Sequence, residues 1–280
     1  MRARRCGRPS RRLPSKPTIY ATGRGIELPR NVRRALIGGA SVKTIIPRMS
    51  VNAQYNVAKP SSIAIKLAGF QRRRMFARFL DSLGIESADT LIDVGATSDR
   101  TYTHSNYLAA WYPHKHRITA VGIDDASFLE QLYPGLVFHQ ADGRALPFPD
   151  LAFDFAHSSA VIEHVGSRAD QTRLLSELWR VCRKGLFVTT PNRWFPIEFH
   201  SLMPLVHWLP APLFRATLRA RGLDSLAQEA NLNLLSRREL LELARAAGIP
   251  DPQVTGARLA GWTSNLLLSA RKPGAAAKRR

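Results

Sequence analysis

Apolar positions along this chain follow two periods. Over residues 62–83, Ile63, Leu67 and Phe70, then Phe76, Phe79, Leu80 and Leu83, recur at helical spacing, and Gly84 supplies a stop. From residue 90 short apolar runs take over. Thr90 to Val94, Ile118 to Ile123, Leu136 to His139, Phe153 to Ser158 and Leu186 to Thr190 predict five strands. Asn106 to Trp111 predicts a short helix. Residues 168–183 predict a longer one with Leu174, Leu175, Leu178 and Val181 inward and Gly185 as its end. The alternation predicts an α/β fold, Rossmann-like and doubly wound, with helices on both faces of a mostly parallel sheet.

The second half is less regular. Residues 191–214 are rich in Pro and aromatics and read as an insertion or lid. Ser236 and Glu239 form a capping box that opens a helix through Ala247, with Gly248 and Pro250 after it. Residues 252–270 predict two closing strands in a hairpin. Arg72, Arg73 and Arg74 read as a solvated helix face.

Charge changes this picture only at the ends. The net charge is +20, yet residues 1–48 carry +12 and residues 271–280 another +5. Residues 49–270 are near neutral, so both ends read as basic arms outside one domain at 49–270. The N-terminal arm is Arg-rich and acid-poor. It fits a disordered arm, a targeting peptide, or residues upstream of a true start at Met49. No apolar run reaches about 18 residues, so no transmembrane helix is expected. Two cysteines, Cys6 and Cys182, suggest neither a disulfide framework nor a metal site, and a cytoplasmic location is expected.

The candidate chemistry sits at strand ends. Ligands of open parallel sheets bind there, where strand order reverses. Asp93, Asp124 and Asp142 follow the first, second and third strands. A carboxylate after the second strand can accept both ribose hydroxyl protons, and one after the third can accept from an adenine amino group. Gly95 lets the backbone turn close to a ligand. A helix cap for Asp124 and a turn position for Asp142 remain alternative readings.

Four stretches carry a resemblance. Leu91-Ile92-Asp93-Val94-Gly95, Gly122-Ile123-Asp124, Ala141-Asp142 through Phe148, and Phe153-Asp154 through Ser159-Ala160-Val161-Ile162-Glu163-His164-Val165 resemble successive motifs of class I methyltransferases, closest to the methyltransferase type 11 set. The resemblance implies a seven-stranded sheet with a reversed final hairpin and S-adenosylmethionine as cofactor. It implies that Asp93 and Gly95 flank the methionine moiety, that Asp124 holds the ribose, that Asp142 and Gly143 sit by the adenine, and that Ser158 and Ser159 lie near the methionine end. The family's loop repeats glycine three times; here only Gly95 remains, and Thr97 and Asp99 bring side chains instead.

Methyl transfer needs alignment and exclusion of water, and a base only when the acceptor must lose a proton. His164, with Glu163 beside it, is the candidate base; a structural histidine is the alternative. His157 reads as a packed residue of its strand. Asn192, Arg193, Trp194, Glu198 and His200 are the candidate acceptor residues, because they follow the fifth strand on the functional edge. Leu202 to Pro212 fits an apolar acceptor, a peripheral contact with a membrane, or a structural lid. The expected acceptor is a small molecule, lipid or glycan. A non-catalytic binding protein of the same fold is the alternative. A nucleic-acid methyltransferase is disfavoured, since Ser158-Ser159-Ala160-Val161 stands where an Asn/Asp-Pro-Pro-Tyr/Phe signature would hold a flipped base.

Overall fold

The computed structural model describes residues 62–100, 102 and 104–274. The basic arm at 1–48, Met49, Cys6 and the last six residues of the basic tail lie outside the described residues. Among the described residues, seven strands form one sheet in the order β3-β2-β1-β4-β5-β7-β6. They are β1 (Leu91–Val94), β2 (Ile118–Gly122), β3 (Val137–Gln140), β4 (Phe153–Ser159), β5 (Cys182–Pro191), β6 (Gln253–Leu259) and β7 (Trp262–Arg271). Pairing is parallel from β3 to β5 and antiparallel across β7 to β5 and β6. Strand order reverses between β1 and β4, which opens a crevice above their carboxyl ends.

Each face of the sheet buries its own cluster. Helix α1 (Ile63–Leu83), the short α2 (Tyr107–Trp111) and α3 (Phe128–Leu132) cover one face with Met75, Phe79, Leu83, Tyr107 and Leu129. Helices α4 (Arg168–Val181) and α6 (Arg237–Ala246) cover the other with Leu174, Leu178, Leu240 and Ala244. Both helices start in capping boxes, Ser167 with Asp170 and Ser236 with Glu239. These satisfy backbone N–H groups that a helix start leaves without partners. A third cluster, including Phe214, Leu218, Leu226 and Leu234, sits around α5 (Ala211–Ala220).

Three expectations are corrected. Gly185 does not end α4. The helix stops at Val181 and β5 starts at Cys182, so Gly185 lies inside β5, paired with Phe155 and Arg271. Arg72–Arg74 is a solvated face only in part: Arg73 and Arg74 are exposed and Arg72 is half-buried, and all three have partners. Arg72 donates to the His104 carbonyl (3.0 Å), Arg74 to the Arg258 carbonyl (2.6 Å), and the Arg73 guanidinium lies 4.7 Å from the Trp111 ring centroid. The apolar residues at the start of α1 are not core: Ile63 is 76% exposed and Phe70 55%. Met75, Phe79 and Leu83, spaced by four, are the large apolar side chains of α1 that are fully buried against the sheet.

Candidate active site

A cavity of about 780 Å³ opens at the carboxyl ends of β1, β2, β4 and β5. Among the residues named from sequence, Gly95, Asp124, Asp142, Gly143, Ser159, His164 and His200 line it. Asp93, Ser158, Glu163, Asn192, Arg193, Trp194 and Glu198 do not.

The glycine-poor loop after β1 is held by side chains instead of glycines. Gly95 has φ of 114°, a conformation that L side chains rarely adopt, and its N–H donates to the Val121 carbonyl (2.8 Å). A Cβ there would stand 2.1 Å from Val161 Cγ2. Beyond it, Asn106 clamps Thr97 from both sides. The Thr97 N–H donates to Asn106 Oδ1 (2.9 Å), and Asn106 Nδ2 donates to the Thr97 carbonyl (3.0 Å). Thr97 Oγ1 in turn accepts from the Asp99 N–H (3.1 Å). Thr97 lines the cavity; Asp99 does not. Gly122, at the end of β2, must also lack a side chain, because a Cβ would meet the Ala96 carbonyl oxygen at 2.3 Å.

The two acids after β2 divide their work. Asp125 accepts from the Ser127 N–H (2.9 Å) at the start of α3. Asp124 makes no side-chain hydrogen bond to the described residues and faces the cavity. Asp142 is engaged: its two oxygens accept from Arg144 Nε (3.0 Å each) and Oδ2 from Nη2 (2.7 Å), while Oδ1 also accepts from the Arg144 N–H (2.9 Å). These bonds hold its carboxyl below the usual range. Asp142 thus has the turn role alongside its place in the lining. Gly143 packs between Val94 and Leu174.

Asp93 turns away from the cavity. Its Oδ1 accepts from His157 Nδ1–H (2.7 Å), and that ring's Nε2 accepts from the Tyr107 hydroxyl (2.9 Å). Asp93 and His157 are register partners on β1 and β4, so the chain Asp93–His157–Tyr107 joins both strands to α2. Burial pushes the Tyr107 phenol well above its ordinary range. Ser158 is wholly buried, and its Oγ has no partner among the described residues.

At the other end of the cavity lie His164 and His200. The ring Nδ1–H of His164 donates to the Asn231 carbonyl (2.6 Å). That of His200 donates to Glu198 Oε1 (2.6 Å), whose Oε2 accepts from Ser201 N–H and Oγ (2.6 Å each). The two imidazoles meet edge to face, centroids 4.7 Å apart. Burial, helped by the neighbouring His200, holds His164 neutral, its pKa lowered to about 3. Burial raises Glu163 to about 7. For Glu198 burial alone would raise the pKa, but the His200 charge and the donated hydrogen bonds outweigh it and bring it to about 2. His200 is raised: burial works against its charge, and Glu198 wins. His164 is thus held in the neutral form by its surroundings.

The other acceptor candidates make contacts outside the cavity lining. Asn192 Nδ2 donates to the Thr263 carbonyl (2.8 Å), tying the end of β5 to β7. Arg193 Nη2 donates to the Leu209 carbonyl (3.3 Å) and its guanidinium lies over Trp194, which is 50% exposed. Phe199, from the segment after β5 read as part of the acceptor pocket, lines the cavity, whereas sequence reasoning missed Gln71, Arg144 and Asn231 as lining residues. Arg144 stands beside residues already singled out; the other two reach the cavity from α1 and from the loop before α6.

Residues 93–189 match the family model described as a methyltransferase domain. Solved structures similar to this chain include an S-adenosylmethionine-dependent methyltransferase from Methanosarcina mazei, at 18% identity and TM-score 0.45, with 69% of this chain and 96% of that one covered. Another, from Mesorhizobium loti, has 14% identity and TM-score 0.49, covering 72% and 100%. A third, from Aquifex aeolicus, has 15% identity and TM-score 0.47, covering 76% and 98%. No curated protein matches the sequence.

Proposed function

We propose that the chain acts as a class I S-adenosylmethionine-dependent methyltransferase whose acceptor is a small organic molecule, lipid or glycan seated between His164, Phe199 and His200. The observation that carries this reading is the size and shape of the cavity. Pockets of about 300–1,000 Å³ enclose one drug-sized ligand. At about 780 Å³, this one runs from Asp124 and Gly95 to the two histidines and leaves room beside a cofactor.

When bound, the cofactor supplies an electrophilic methyl group on a sulfonium. The residues present fit it. Asp124, which lines the cavity, is placed for ribose hydroxyls. The close approach of Gly95, Ala96 and Gly122 leaves backbone where a ligand lies, and Gly143 and Asp142 border the same end. An acidic lining suits a ligand that carries an ammonium and a sulfonium and no phosphate. Asp93 acts on the loop from behind, through His157, and so positions it without touching ligand. The chain's further task is to exclude water and align the acceptor atom with the methyl.

The domain is proposed to span 49–270, with 191–214 as its acceptor-side insertion. A lipid-type acceptor is favoured by one further feature of that segment: Trp194, Ile197, Leu205, Leu209 and Leu213 are all exposed. Calorimetry with S-adenosylmethionine, then labelled-methyl transfer over fractionated cell extract, tests the reading. An Asp124→Ala chain is expected to bind cofactor about 10–100-fold more weakly, as befits lost charge-assisted hydrogen bonds. Label is expected in the small-molecule, lipid or glycan fraction. Label confined to the nucleic-acid fraction would overturn the acceptor class, and unchanged binding by Asp124→Ala would refute the ribose assignment.

A further inference from the structure

We propose that Glu163, His164 and His200 form a binding site for a divalent transition-metal ion at the acceptor end of the cavity. One carboxylate oxygen of Glu163 and one ring nitrogen from each histidine lie within 4.8 Å of one another. Two imidazoles and one carboxylate are the donor set of many zinc and non-haem iron sites, in which three protein ligands leave positions open for water or substrate.

Each ligand is oriented by a partner behind it. The Asn231 carbonyl takes the Nδ1–H of His164, which turns Nε2 toward Glu163, 4.0 Å from its Oε1. Glu198 takes the Nδ1–H of His200, the carboxylate–histidine arrangement that fixes tautomer and ring angle at metal sites. Thr190 Oγ1–H donates to Glu163 Oε2 (2.9 Å) and so points Oε1 at the two rings. Glu163 is wholly buried, and Oε1 has no hydrogen-bond partner among the described residues. A buried carboxylate oxygen left unmatched costs free energy unless something meets it. A cation between the three ligands meets it.

The spacing is slightly open for an ion. Ligand atoms on a tetrahedral ion with bonds of about 2.0–2.1 Å sit roughly 3.4 Å apart. The three groups would therefore draw together by about an ångström on binding, a small rotation for side chains on a short turn and a loop. Glu163 and His164 lie on the single turn after β4, while His200 comes from the segment after β5. The ion would join the acceptor-side insertion to the sheet. His164 and His200 also line the cavity, so its open positions would face an acceptor oxygen.

The site shares the cavity of the proposed function but needs no turnover to be detected. Metal binding without methyl transfer would sink the acceptor reading and leave the site standing. The test uses the full chain, stripped with chelator and titrated with Zn²⁺ by calorimetry and with Co²⁺ by visible absorption. The expected result is one ion per chain at micromolar affinity or tighter. The Co²⁺ spectrum should show nitrogen and oxygen ligation without thiolate charge-transfer bands, which excludes Cys6 and Cys182. His200→Ala and Glu163→Gln should each lose at least about 100-fold in affinity, and Glu198→Gln about 10–100-fold. A chain with His114→Ala and His116→Ala, a neighbouring pair of surface rings, should bind as wild type. Circular dichroism and cofactor calorimetry establish that each variant is folded. Absence of stoichiometric binding, thiolate bands in the Co²⁺ spectrum, or a folded His200→Ala chain that binds as well as wild type would each overturn the proposal. Should the ligand variants not fold, the wild-type stoichiometry and spectrum decide it.

Discussion

Asn106 holds the loop after β1 in the place of two absent glycines, and removing it gives the sharpest test of that reading. In Asn106→Ala both clamping bonds to Thr97 vanish, one of 2.9 Å to its N–H and one of 3.0 Å to its carbonyl. Hydrogen bonds of this kind contribute a net of about 0.5–1.5 kcal/mol each. The pair is then worth about 1–3 kcal/mol, or roughly 5–150-fold in an equilibrium constant. Where that loss appears depends on the loop. A loop that stays formed without ligand loses it from global stability. A loop that orders only around the cofactor loses it from affinity. Urea unfolding and cofactor calorimetry on the same preparations measure both, and their sum should fall in the stated range. Asn106→Asp is the control: its carboxylate can accept from the Thr97 N–H but cannot donate to the carbonyl, so about half the effect should remain. If Asn106→Ala leaves midpoint and affinity both unchanged, the clamp has no role in shaping the loop.

Other outcomes follow from single contacts. Gly95→Ala combines a backbone angle costly for alanine with a Cβ only 2.1 Å from Val161 Cγ2; it should lose about 2–5 kcal/mol, and adding Val161→Ala should restore the overlap part but not the strain. A full restoration would show that the angle costs nothing. Asp154 is held at about 2: burial alone would raise it, but Thr90, Arg183 and Lys184 outweigh burial. A depressed carboxyl contributes stability above its unfolded pKa and loses it as pH falls, here between about pH 4 and pH 2. Asp154→Asn should flatten the stability curve in that window, at a scale of about 2 kcal/mol, and an unchanged acid limb would contradict the assignment. Anionic phospholipid vesicles should shift the tryptophan emission of the wild-type chain through half-exposed Trp194, and Leu213→Glu should abolish the shift; no shift in wild type removes a bilayer-resident acceptor.

Much of the sheet was legible because buried parallel strands leave short apolar runs bounded by polar residues, and β1, β2, β4 and β5 do so. The capping boxes of α4 and α6 are equally local. Gly185 misled because a glycine after a helix usually ends it; here a Cβ would stand 2.5 Å from the Ala270 carbonyl, a constraint set by β7, about 85 residues away. The first turns of α1 misled for a different reason. Seven apolar residues cover more than one helix face, and periodicity alone does not say which face meets the sheet. Helix α5 was hidden by the prolines before it, although Pro212 in its first turn is a permitted start. In the site, strand-end acids were visible by position, but their partners were not. His157 comes to Asp93 only once the sheet register is set, and Asn106 comes to Thr97 only once the loop after β1 has folded back on itself.

The chain Asp93–His157–Tyr107 has a consequence for how the cofactor loop behaves as a polymer. Its two ends, Asp93 and Tyr107, are pinned to the same buried imidazole. The segment between them is therefore a closed tether of about 14 residues, whose closure entropy is on the order of 2 kcal/mol by the logarithmic length law. That entropy is surrendered when α2 brings Tyr107 onto His157, as part of folding and before any ligand arrives. The loop meets the cofactor with its end-to-end distance already fixed. Side chains such as Thr97 can then replace glycines along it, provided that the anchors behind them do not move.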